Sequence, residues 1–341
     1  MRDTARANEY LATNMKLREA LKIPEDAKVE VHDLAQGEHN ANLWFAHPVS
    51  GKKMVLRINY ISQFNLDDQI GYEYHMLEAL SATSCTPKPL FLDSSSDFFE
   101  HGALVMEFVE GERLSFDNPM HLEKAARILA DVHAALPPEN DAILLYPKDT
   151  LQNLFDECNG YFEKYRHASI AEERIVKRLE RFVKSSEREL RPRKIKNHRA
   201  HFVSTEPVPS HFILSHTGSG GYLIDWDKAL IGENTRDVAY FMAPTSTVWD
   251  SDFIFDKSDM DKFVNNYWNA VGSRFPVADF EERLSAYLKL NCLRGTTWSV
   301  MTWVAYQSPD LALKNDKTVE KFEKYYLNDD FLDMLEENIF Q

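Results

Sequence analysis

The sequence predicts an α+β protein with two lobes, a small antiparallel sheet followed by a larger, mostly helical region. Three observations lead to this fold class. Short strand-like runs separated by turn residues occupy the chain up to residue 108, one amphipathic helical segment interrupts them, and helical periodicity dominates from about residue 120 onward. The length of 341 residues also exceeds the roughly 100–200 residues of a typical single domain.

The amino-terminal part is predicted to begin with an amphipathic helix from about Thr4 to Lys22. Short apolar runs bounded by turn residues then predict the five strands 28–32, 42–46, 54–58, 89–92 and 103–108. Apolar side chains recur at helical spacing over 66–80, between the third and fourth of these strands. The pattern favours an antiparallel sheet with one main helix against it.

The carboxy-terminal part has helical periodicity, for example over 125–133, with one interruption. Two short apolar runs, 211–214 and 222–224, flank a Gly/Ser turn and predict a hairpin. Irregular backbone within a helical region often carries functional residues. The basic run 191–199 before the hairpin is typical of a solvated loop, with a binding surface as the alternative.

Composition indicates an ordinary globular protein and excludes several classes of partner. Hydrophobic residues make up 44% of the chain, enough for a full core, and the formal net charge of −15 repels phosphate backbones and anionic lipids. We therefore expect neither a nucleic-acid partner nor membrane association. The three cysteines stand far apart, and no apolar run of about 18 residues or signal peptide occurs, so we expect a soluble cytoplasmic protein.

Polar residues around the predicted hairpin form a candidate site. Glu206, His211 five residues later, and Asp225 at the end of the next strand would converge at the mouth of the hairpin. Such a group can bind a metal ion and activate a hydroxyl. From spacing alone a plainer interpretation stays open, in which the three are a loop carboxylate, a core histidine and a turn aspartate.

An ordered series of motifs extends this site through the chain. It consists of the loop 36–42, Arg57, Glu73, the segment 106–111, the helix segment 129–133, the loop 206–211, AspTrpAsp at 225–227 and the segment 232–237. In this order the motifs resemble the aminoglycoside phosphotransferase and choline kinase family over residues 30–306. The resemblance implies a two-lobed protein-kinase-like fold, with a nucleotide-binding lobe over 1–108 and a helical lobe over 109–341 that carries the catalytic loop, the metal loop and the acceptor site.

The resemblance also implies where ATP would bind. Gly37 and Asn40 lie in the loop that would cover its phosphates with backbone N–H groups, although an ordinary hairpin turn would look the same. Glu107 and Val109 lie in the segment between the lobes, where the adenine would bond the main chain.

Two charged residues would hold the phosphates. Arg57 corresponds to the basic residue that binds the α- and β-phosphates, and Glu73 corresponds to the helix acid that positions it. A fixed cation there would stabilise the charge that accumulates during transfer. An exposed ion pair is the alternative.

For catalysis, the resemblance assigns Glu206 to orient or deprotonate the acceptor hydroxyl and Asp225 to bind Mg²⁺. His211 and Asp227 are further candidate metal ligands, and Asp237 corresponds to an acid that braces the catalytic loop.

The catalytic loop departs from the family pattern His-Gly-Asp-x-x-x-x-Asn. This chain has Ser204, Thr205 and Glu206 at the first three positions and His211 at the last. Glutamate keeps the carboxylate but displaces it by about an ångström, and positioning sets much of the rate. Imidazole suits zinc or manganese better than Mg²⁺. A branch of the family with a ThrGlu pair looks closer, since the segments 68–74 and 244–249 also match it.

The leading hypothesis is therefore an ATP-dependent phosphotransferase that acts on a hydroxyl of a small molecule. The alternative is a pseudokinase that binds nucleotide or a partner without transfer, and the net charge argues against a third reading, a lipid kinase. An acidic final helix would favour a cationic acceptor, although it is equally typical of a solvated face. Trp249, Trp298 and Trp303 could form an aromatic cage for an ammonium group, but tryptophans at helical spacing more often lie in a core.

Overall fold

The structure, a computed structural model, describes residues 4–37, 39–62, 66–139, 141–190, 200–218, 220–276, 279–307 and 316–341. The basic run predicted at 191–199 lies outside them. Across the described residues, a five-stranded antiparallel sheet is followed by a mainly helical region, which confirms the α+β class. No helix in these residues is both long and apolar enough to cross a membrane.

The amino-terminal helices differ in one respect from the expectation. They are α1 (Thr4–Thr13), α2 (Met15–Leu21) and α3 (Gln69–Leu80). The single helix predicted from Thr4 to Lys22 is wrong, because Asn14 interrupts it. The Asn14 side chain accepts a hydrogen bond from the backbone N–H of Leu17, which caps α2, and donates another to Asp93 at 3.0 Å.

The sheet has the strand order β1-β2-β3-β5-β4, and all of its pairings are antiparallel. Its strands are β1 (Val31–Gln36), β2 (Asn40–Ala46), β3 (Lys53–Asn59), β4 (Pro89–Asp93) and β5 (Ala103–Glu107). The first strand begins at Val31 instead of residue 28, since Val31 is the first residue that pairs with β2, opposite buried Phe45. The boundary predicted at residues 108 and 109 lies just after β5, and the division into these two units stays a prediction.

Both faces of this sheet are covered. Side chains alternate along β5, so that Val105 packs with Tyr10 and Leu17 under α1 and α2, while Leu104 packs with Met76 of α3 on the other face. The sheet and α3 therefore form one packed layer. The arrangement matters for function because each of them contributes a charged side chain to the candidate site.

The second region is built around a long central helix. Its helices are α4 (Pro119–Ala134), α5 (Thr150–Arg166), α6 (Glu173–Glu187), α7 (Thr235–Met242), α8 (Pro244–Asp250), α9 (Lys257–Val271), α10 (Phe280–Tyr306), α11 (Asp316–Lys321) and α12 (Asp329–Asn338). Helix α10 packs against α5, α6, α7 and α8. Tyr287, Leu290 and Leu293 of α10 are fully buried in this core.

Short strands interrupt the helices where the sequence predicts a hairpin. They are β6 (Glu112–Arg113), β7 (His201–Val203), β8 (Phe212–Leu214), β9 (Gly221–Leu223) and β10 (Leu230–Gly232). Strands β8 and β9 pair antiparallel, which confirms the hairpin. The loop from β7 to β8 carries Glu206, and the loop from β9 to β10 carries Asp225 and Asp227. We call these segments the catalytic loop (204–211) and the metal loop (224–229).

Candidate active site

The first component of the site is a buried ion pair between the sheet and α3. The Nε atom of Arg57 on β3 lies 2.9 Å from Oε2 of Glu73 on α3, and the two side chains are 5% and 2% exposed. The pair is therefore buried rather than exposed. The structure thus joins these two predicted residues in the core of the sheet–helix layer.

Arg57 also reaches the metal loop. Its Nη2 group lies 2.5 Å from Oδ1 of Asp225 and 3.1 Å from Oδ2 of Asp227. Asn40 on β2 donates its amide to the same Asp227 oxygen at 2.8 Å, and Asn59 on β3 donates to Asn40 at 2.8 Å. Polar side chains of the sheet therefore contact the metal loop directly. Asn59 was not predicted as a site residue from the sequence.

Helix α3 fixes the same loop through neutral hydrogen bonds. The amide of Gln69, in its first turn, donates to the carbonyl of Asp227 at 2.6 Å, and the Tyr72 hydroxyl donates to the carbonyl of Ala229 at 2.6 Å. Both residues lie in the segment 68–74 that resembles the closer branch of the family. The sequence match over this segment pointed to Gln69 and Tyr72, but it did not predict which residues they contact.

The pKa values in this cluster reflect more carboxyl groups than cations. Burial raises the pKa of Asp227, and the neighbouring Asp225 raises it further, while burial also raises the pKa of Glu73 to about 8. For Asp225, burial is outweighed by Arg57 and His211, which lower its pKa to about 2. One guanidinium faces three carboxylates here. A divalent cation fits such an excess of buried negative charge better than a second anion does.

The metal loop adopts a strained turn at Asp225. Its φ angle is +71°, in the left-handed region that non-glycine residues seldom enter. The indole of the next residue, Trp226, is fully buried and donates to the Leu223 carbonyl at 2.9 Å. This anchor holds the turn so that the Asp225 side chain, 31% exposed, faces outward while Asp227 stays buried. Such strain is commonly found at functional sites.

Asp237 of α7 supports the catalytic loop through its backbone. Its two carboxylate oxygens accept the backbone N–H groups of Ser204 and Thr205, each at 2.8 Å, and His133 lies 3.3 Å away. Thr205 has a φ angle of +70°, which is unusual for a β-branched residue. The buried Asp237 carboxylate therefore stabilises a backbone turn that positions Glu206.

Glu206 belongs to a second charged cluster, away from Arg57. Its Oε1 atom lies 3.0 Å from Nζ of Lys228 and accepts a hydrogen bond from the Arg294 guanidinium, whereas Oε2 makes no hydrogen bond with the described residues. Burial would raise the pKa of Glu206, but Arg294 and Lys228 outweigh it and lower the pKa to about 2. The carboxylate is therefore ionised, with one oxygen free to accept a hydrogen bond.

His211 connects the two loops. Its Nδ1 atom lies 3.0 Å from the carbonyl oxygen of Glu206, so Nδ1 carries the proton, and Nε2 lies 3.2 Å from Oδ2 of Asp225. A nitrogen facing a carboxylate oxygen at this distance suits either an imidazolium or a shared cation. The site thus contains an imidazole and two carboxylates, Asp225 and Asp227, within one connected network.

Comparison with known proteins identifies the chain's family. A model of the phosphotransferase enzyme family matches residues 30–282, well over half of the chain. The chain belongs to this family. No curated protein sequence matches it.

Solved structures show that this family member has the kinase-like fold. Choline kinase from Cryptosporidium parvum Iowa II has a TM-score of 0.63 at 14% identity, over 95% of this chain and 96% of that one. Plasmodium vivax ethanolamine kinase has a TM-score of 0.63 at 15% identity, over 97% and 95%. A spectinomycin phosphotransferase, solved with ADP and spectinomycin, has a TM-score of 0.62 at 10% identity, over 94% and 96%. At these identities the likeness shows the fold alone.

The candidate site brings some of the predicted residues together and leaves others apart. Asn40, Arg57, Glu73, Asp225, Asp227 and His211 form one network, and Glu206 joins it through its carbonyl. Gly37 closes its loop with a hydrogen bond from its N–H to the Asn40 carbonyl at 3.0 Å. The N–H of Glu107 donates to the Lys88 carbonyl, and Val109 follows β5 half-buried, so their predicted adenine contacts stay a prediction.

A metal ion at the candidate site would meet donors of two kinds. Asp225 and Asp227 supply carboxylates, and His211 supplies an imidazole beside them. In the described part of the chain no three acidic, histidine or cysteine side chains form a preformed metal cage. The two carboxylates fit a cation such as Mg²⁺, which takes one or two carboxylates from the protein and its remaining ligands from phosphates and water.

Two features proposed for acceptor recognition have other roles. Trp249 and Trp298 pack edge to face at 5.4 Å, and both contact Phe322, as does Trp303. The three tryptophans pack against the core, which is the interpretation that the sequence favoured. The acidic final helix, α12, pairs with α6: its Asp329, Asp333 and Glu336 meet Arg174, Arg178 and Arg181. These pairs neutralise the acidic face and join two helices.

An open groove adjoins the catalytic loop. It has a volume of about 540 Å³ and is lined by residues 113–117, 209–210 and 250–253. Asp250 accepts the backbone N–H of Ser210 at 2.9 Å, which ties the groove to the loop. Its charged lining consists of Arg113 and three aspartates, Asp117, Asp250 and Asp252. Asp252 already pairs with Lys324 at 2.8 Å, which leaves Asp117 and Asp250 against Arg113. The groove is therefore large enough for a small molecule and slightly acidic.

Proposed function

We propose that this phosphotransferase transfers the γ-phosphoryl group of ATP to a hydroxyl of a small-molecule acceptor. The observation that carries the proposal is the meeting of Arg57 with Asp225 beside the catalytic loop of Glu206. A nucleotide bound between the sheet and the loops would place its phosphates beside that guanidinium. The fold shared with kinases, and the ADP bound in the spectinomycin phosphotransferase, support ATP as the donor.

The basic residue would bind phosphate, and the acidic residues would bind the metal ion. Arg57 binds and neutralises phosphate oxygens, while Asp225, with Asp227 and His211, would hold Mg²⁺. The cation, when bound, supplies further positive charge at the phosphates. Release of Asp225 from Arg57 frees carboxylate oxygens for this purpose. Glu73 keeps Arg57 oriented throughout, because their ion pair lies behind the site and is fully buried.

Glu206 would orient the acceptor. Its free Oε2 atom accepts a hydrogen bond from the hydroxyl and so directs the hydroxyl oxygen at the phosphorus. Phosphoryl transfer proceeds through a loose transition state in which positioning matters more than early proton removal. A strongly ionised carboxylate therefore suffices, and the hydroxyl proton moves to Glu206 or water as the new bond forms.

The acceptor we propose is a cationic amino alcohol. Beside Ser210 the groove presents Asp117 and Asp250 against one arginine, while Asp252 is paired with Lys324, so it favours a positive charge. Choline kinase and ethanolamine kinase, both of which share the fold, carry substrates of this class in their names. The hydroxyl would lie at Glu206 and the ammonium group in the groove.

Two measurements test the proposed function. Calorimetry should show ATP binding that strengthens with Mg²⁺, and ADP release should then rise with one acceptor among choline, ethanolamine, aminopropanol and spectinomycin. Glu206→Gln should retain ATP binding and lose most of its turnover, leaving a residual rate that can be measured, whereas Glu163→Gln, at an exposed carboxylate beside Arg166, should change neither. Absence of ATP binding at millimolar concentration by a folded protein would sink the proposal.

One observation favours a second candidate, a pseudokinase. Both carboxylate oxygens of Asp225 already have partners, Arg57 on Oδ1 and His211 on Oδ2. If these contacts persist with nucleotide bound, they compete with a metal ion for the Asp225 oxygens. ATP affinity that is the same with and without Mg²⁺, together with no ADP release from any acceptor tested, would support this candidate.

A further inference from the structure

The side chain of Glu206 is held by a ring of alternating charges. Nζ of Lys228 lies 3.0 Å from Oε1 of Glu206 and 2.6 Å from Oε1 of Glu157 on α5. Arg294 on α10 donates Nη2 to the same Glu206 oxygen and Nε to the same Glu157 oxygen at 3.1 Å. Each cation therefore bridges both carboxylates, and all four contacts converge on a single oxygen of each glutamate.

The two cations are buried more deeply than the carboxylates they hold. The side chains of Lys228 and Arg294 are each 5% exposed, whereas those of Glu157 and Glu206 are 19% and 27% exposed. The Arg294 guanidinium also lies over the ring of Tyr240, 6.0 Å from its centroid. This burial means that the cations do not face the acceptor. They contact Oε1 of Glu206 from the buried side of the site. Oε2 remains the oxygen that has no hydrogen-bond partner among the described residues.

We infer that Lys228 and Arg294, anchored by Glu157, are positioning residues that fix Glu206 for transfer; the inference rests on the proposed function. Glutamate has one more rotatable bond than the aspartate of most relatives, so its carboxylate would otherwise sample several positions. Clamping Oε1 removes this freedom and presents Oε2 in one direction. The ring thus offsets the longer side chain of this branch.

The ring is rigid because of the elements that carry it. Arg294 and Glu157 lie on α10 and α5, which pack against each other in the helical core. Lys228 directly follows Asp227 in the metal loop, and its carbonyl accepts the Thr205 hydroxyl at 3.0 Å. The ring therefore sets the position of the Glu206 carboxylate relative to both the helical core and the metal loop.

The ring also limits repulsion between Glu206 and ATP. Its two carboxylates face Lys228 and Arg294, and Arg236 lies 3.9 Å from Glu157, so the cluster has no excess of negative charge and Glu206 adds little negative potential near the triphosphate. A free glutamate at this point would oppose binding of the polyanionic nucleotide. Loss of one cation should therefore weaken turnover most and ATP affinity less, because the ring acts through Glu206 and Arg57 binds the phosphates.

A double-mutant cycle in the full-length protein tests this inference, with ATP saturating and the best acceptor of the panel named above. We expect Arg294→Gln to lower kcat on the order of 10²-fold with little change in the Kd for ATP. In the Glu206→Gln background the same change should have no further effect on kcat, because its partner is gone. Arg294→Lys, which keeps the charge, should recover part of the loss.

The matched control is Arg283→Gln. Arg283 lies on the same helix, is as buried as Arg294 and pairs with Glu233 instead of Glu206. The control should lower stability without lowering kcat. Should Arg294→Gln fail to fold, Glu157→Gln replaces it in the cycle; it removes the anchor and should lower kcat by about tenfold.

The outcomes separate the inference from the function it rests on. If the wild type transfers phosphate while Arg294→Gln retains its kcat, or if the two losses multiply in the double variant, the positioning inference is overturned and the proposed function stands. If the wild type binds no ATP or transfers nothing, the proposed function fails and the inference fails with it.

Discussion

Nη2 of Arg57 lies 2.5 Å from Oδ1 of Asp225, although 168 residues separate them in the chain. One is on the third strand of the sheet, and the other is in a loop enclosed by the helical region. Their contact joins the two regions at the point where the phosphates of ATP would lie. The Arg57 guanidinium can be buried because Glu73 and Asp227 also place carboxylates against it.

The first prediction concerns this guanidinium. Arg57→Gln should destabilise the protein by about 3–5 kcal/mol, because it leaves buried carboxylates without their cation. It should also weaken ATP binding at least tenfold, to about the extent of one lost charge-assisted contact. Urea unfolding and calorimetry measure the two effects. Lys53→Gln, on the same strand but at an exposed pair with Glu110, should change stability by less than about 1 kcal/mol.

A second prediction concerns the metal. His211→Asn replaces an imidazole beside Asp225 with an amide oxygen, a harder ligand that Mg²⁺ prefers. The ratio of turnover with Mg²⁺ to turnover with Mn²⁺ should therefore rise in the variant. ADP release measured with each metal in turn gives this ratio. An unchanged ratio would show that His211 does not contact the metal.

Much of the fold could be predicted from the sequence, because local patterns determine it. The hairpin around the Gly/Ser turn and the helix α3 follow from turn residues and apolar spacing, and the structure contains both. The split at Asn14 was missed because helical spacing continues on both sides of it. The break depends on a contact with Asp93, which lies on a strand far along the chain.

The candidate site could be predicted only where its residues belong to short motifs. Arg57, Asp225 and Glu206 were found in this way, through an ordered resemblance. Arg294 and Glu157 lie within ordinary helices, and nothing in their local sequence distinguishes them from surface charges. Only the packing of α10 against α5 brings them to Glu206. Charged partners that are distant in sequence can be identified only when the fold is known.

A third prediction concerns Asp237, whose carboxylate stabilises the catalytic loop. Asp237→Asn places an amide where a carboxylate accepts the backbone N–H groups of Ser204 and Thr205. One of the two acceptors becomes a donor facing a donor, so stability should fall by about 1–3 kcal/mol. Turnover should fall more than ATP affinity, because Glu206 loses its position. Urea unfolding, steady-state kinetics and calorimetry measure these changes, and equal losses of turnover and ATP affinity would contradict this role.

The last prediction is the pH dependence of stability. The Arg294 and Lys228 cations lower the pKa of Glu206 to about 2 in the folded protein, against about 4.3 in the unfolded chain. A lowered folded-state pKa stabilises the protein above the unfolded value, and this contribution is lost as the pH falls from about 5 towards 2. It amounts to at most about 3 kcal/mol.

Glu206→Gln should therefore lower the free energy of unfolding at neutral pH by more than at about pH 3. Urea unfolding of both proteins at the two pH values gives the difference. Glu163→Gln, at an exposed carboxylate of α5 beside Arg166, is the control and should show the same small effect at both. If the effect of Glu206→Gln is independent of pH, the cations do not stabilise the ionised carboxylate, and the charge ring around Glu206 is not formed in solution.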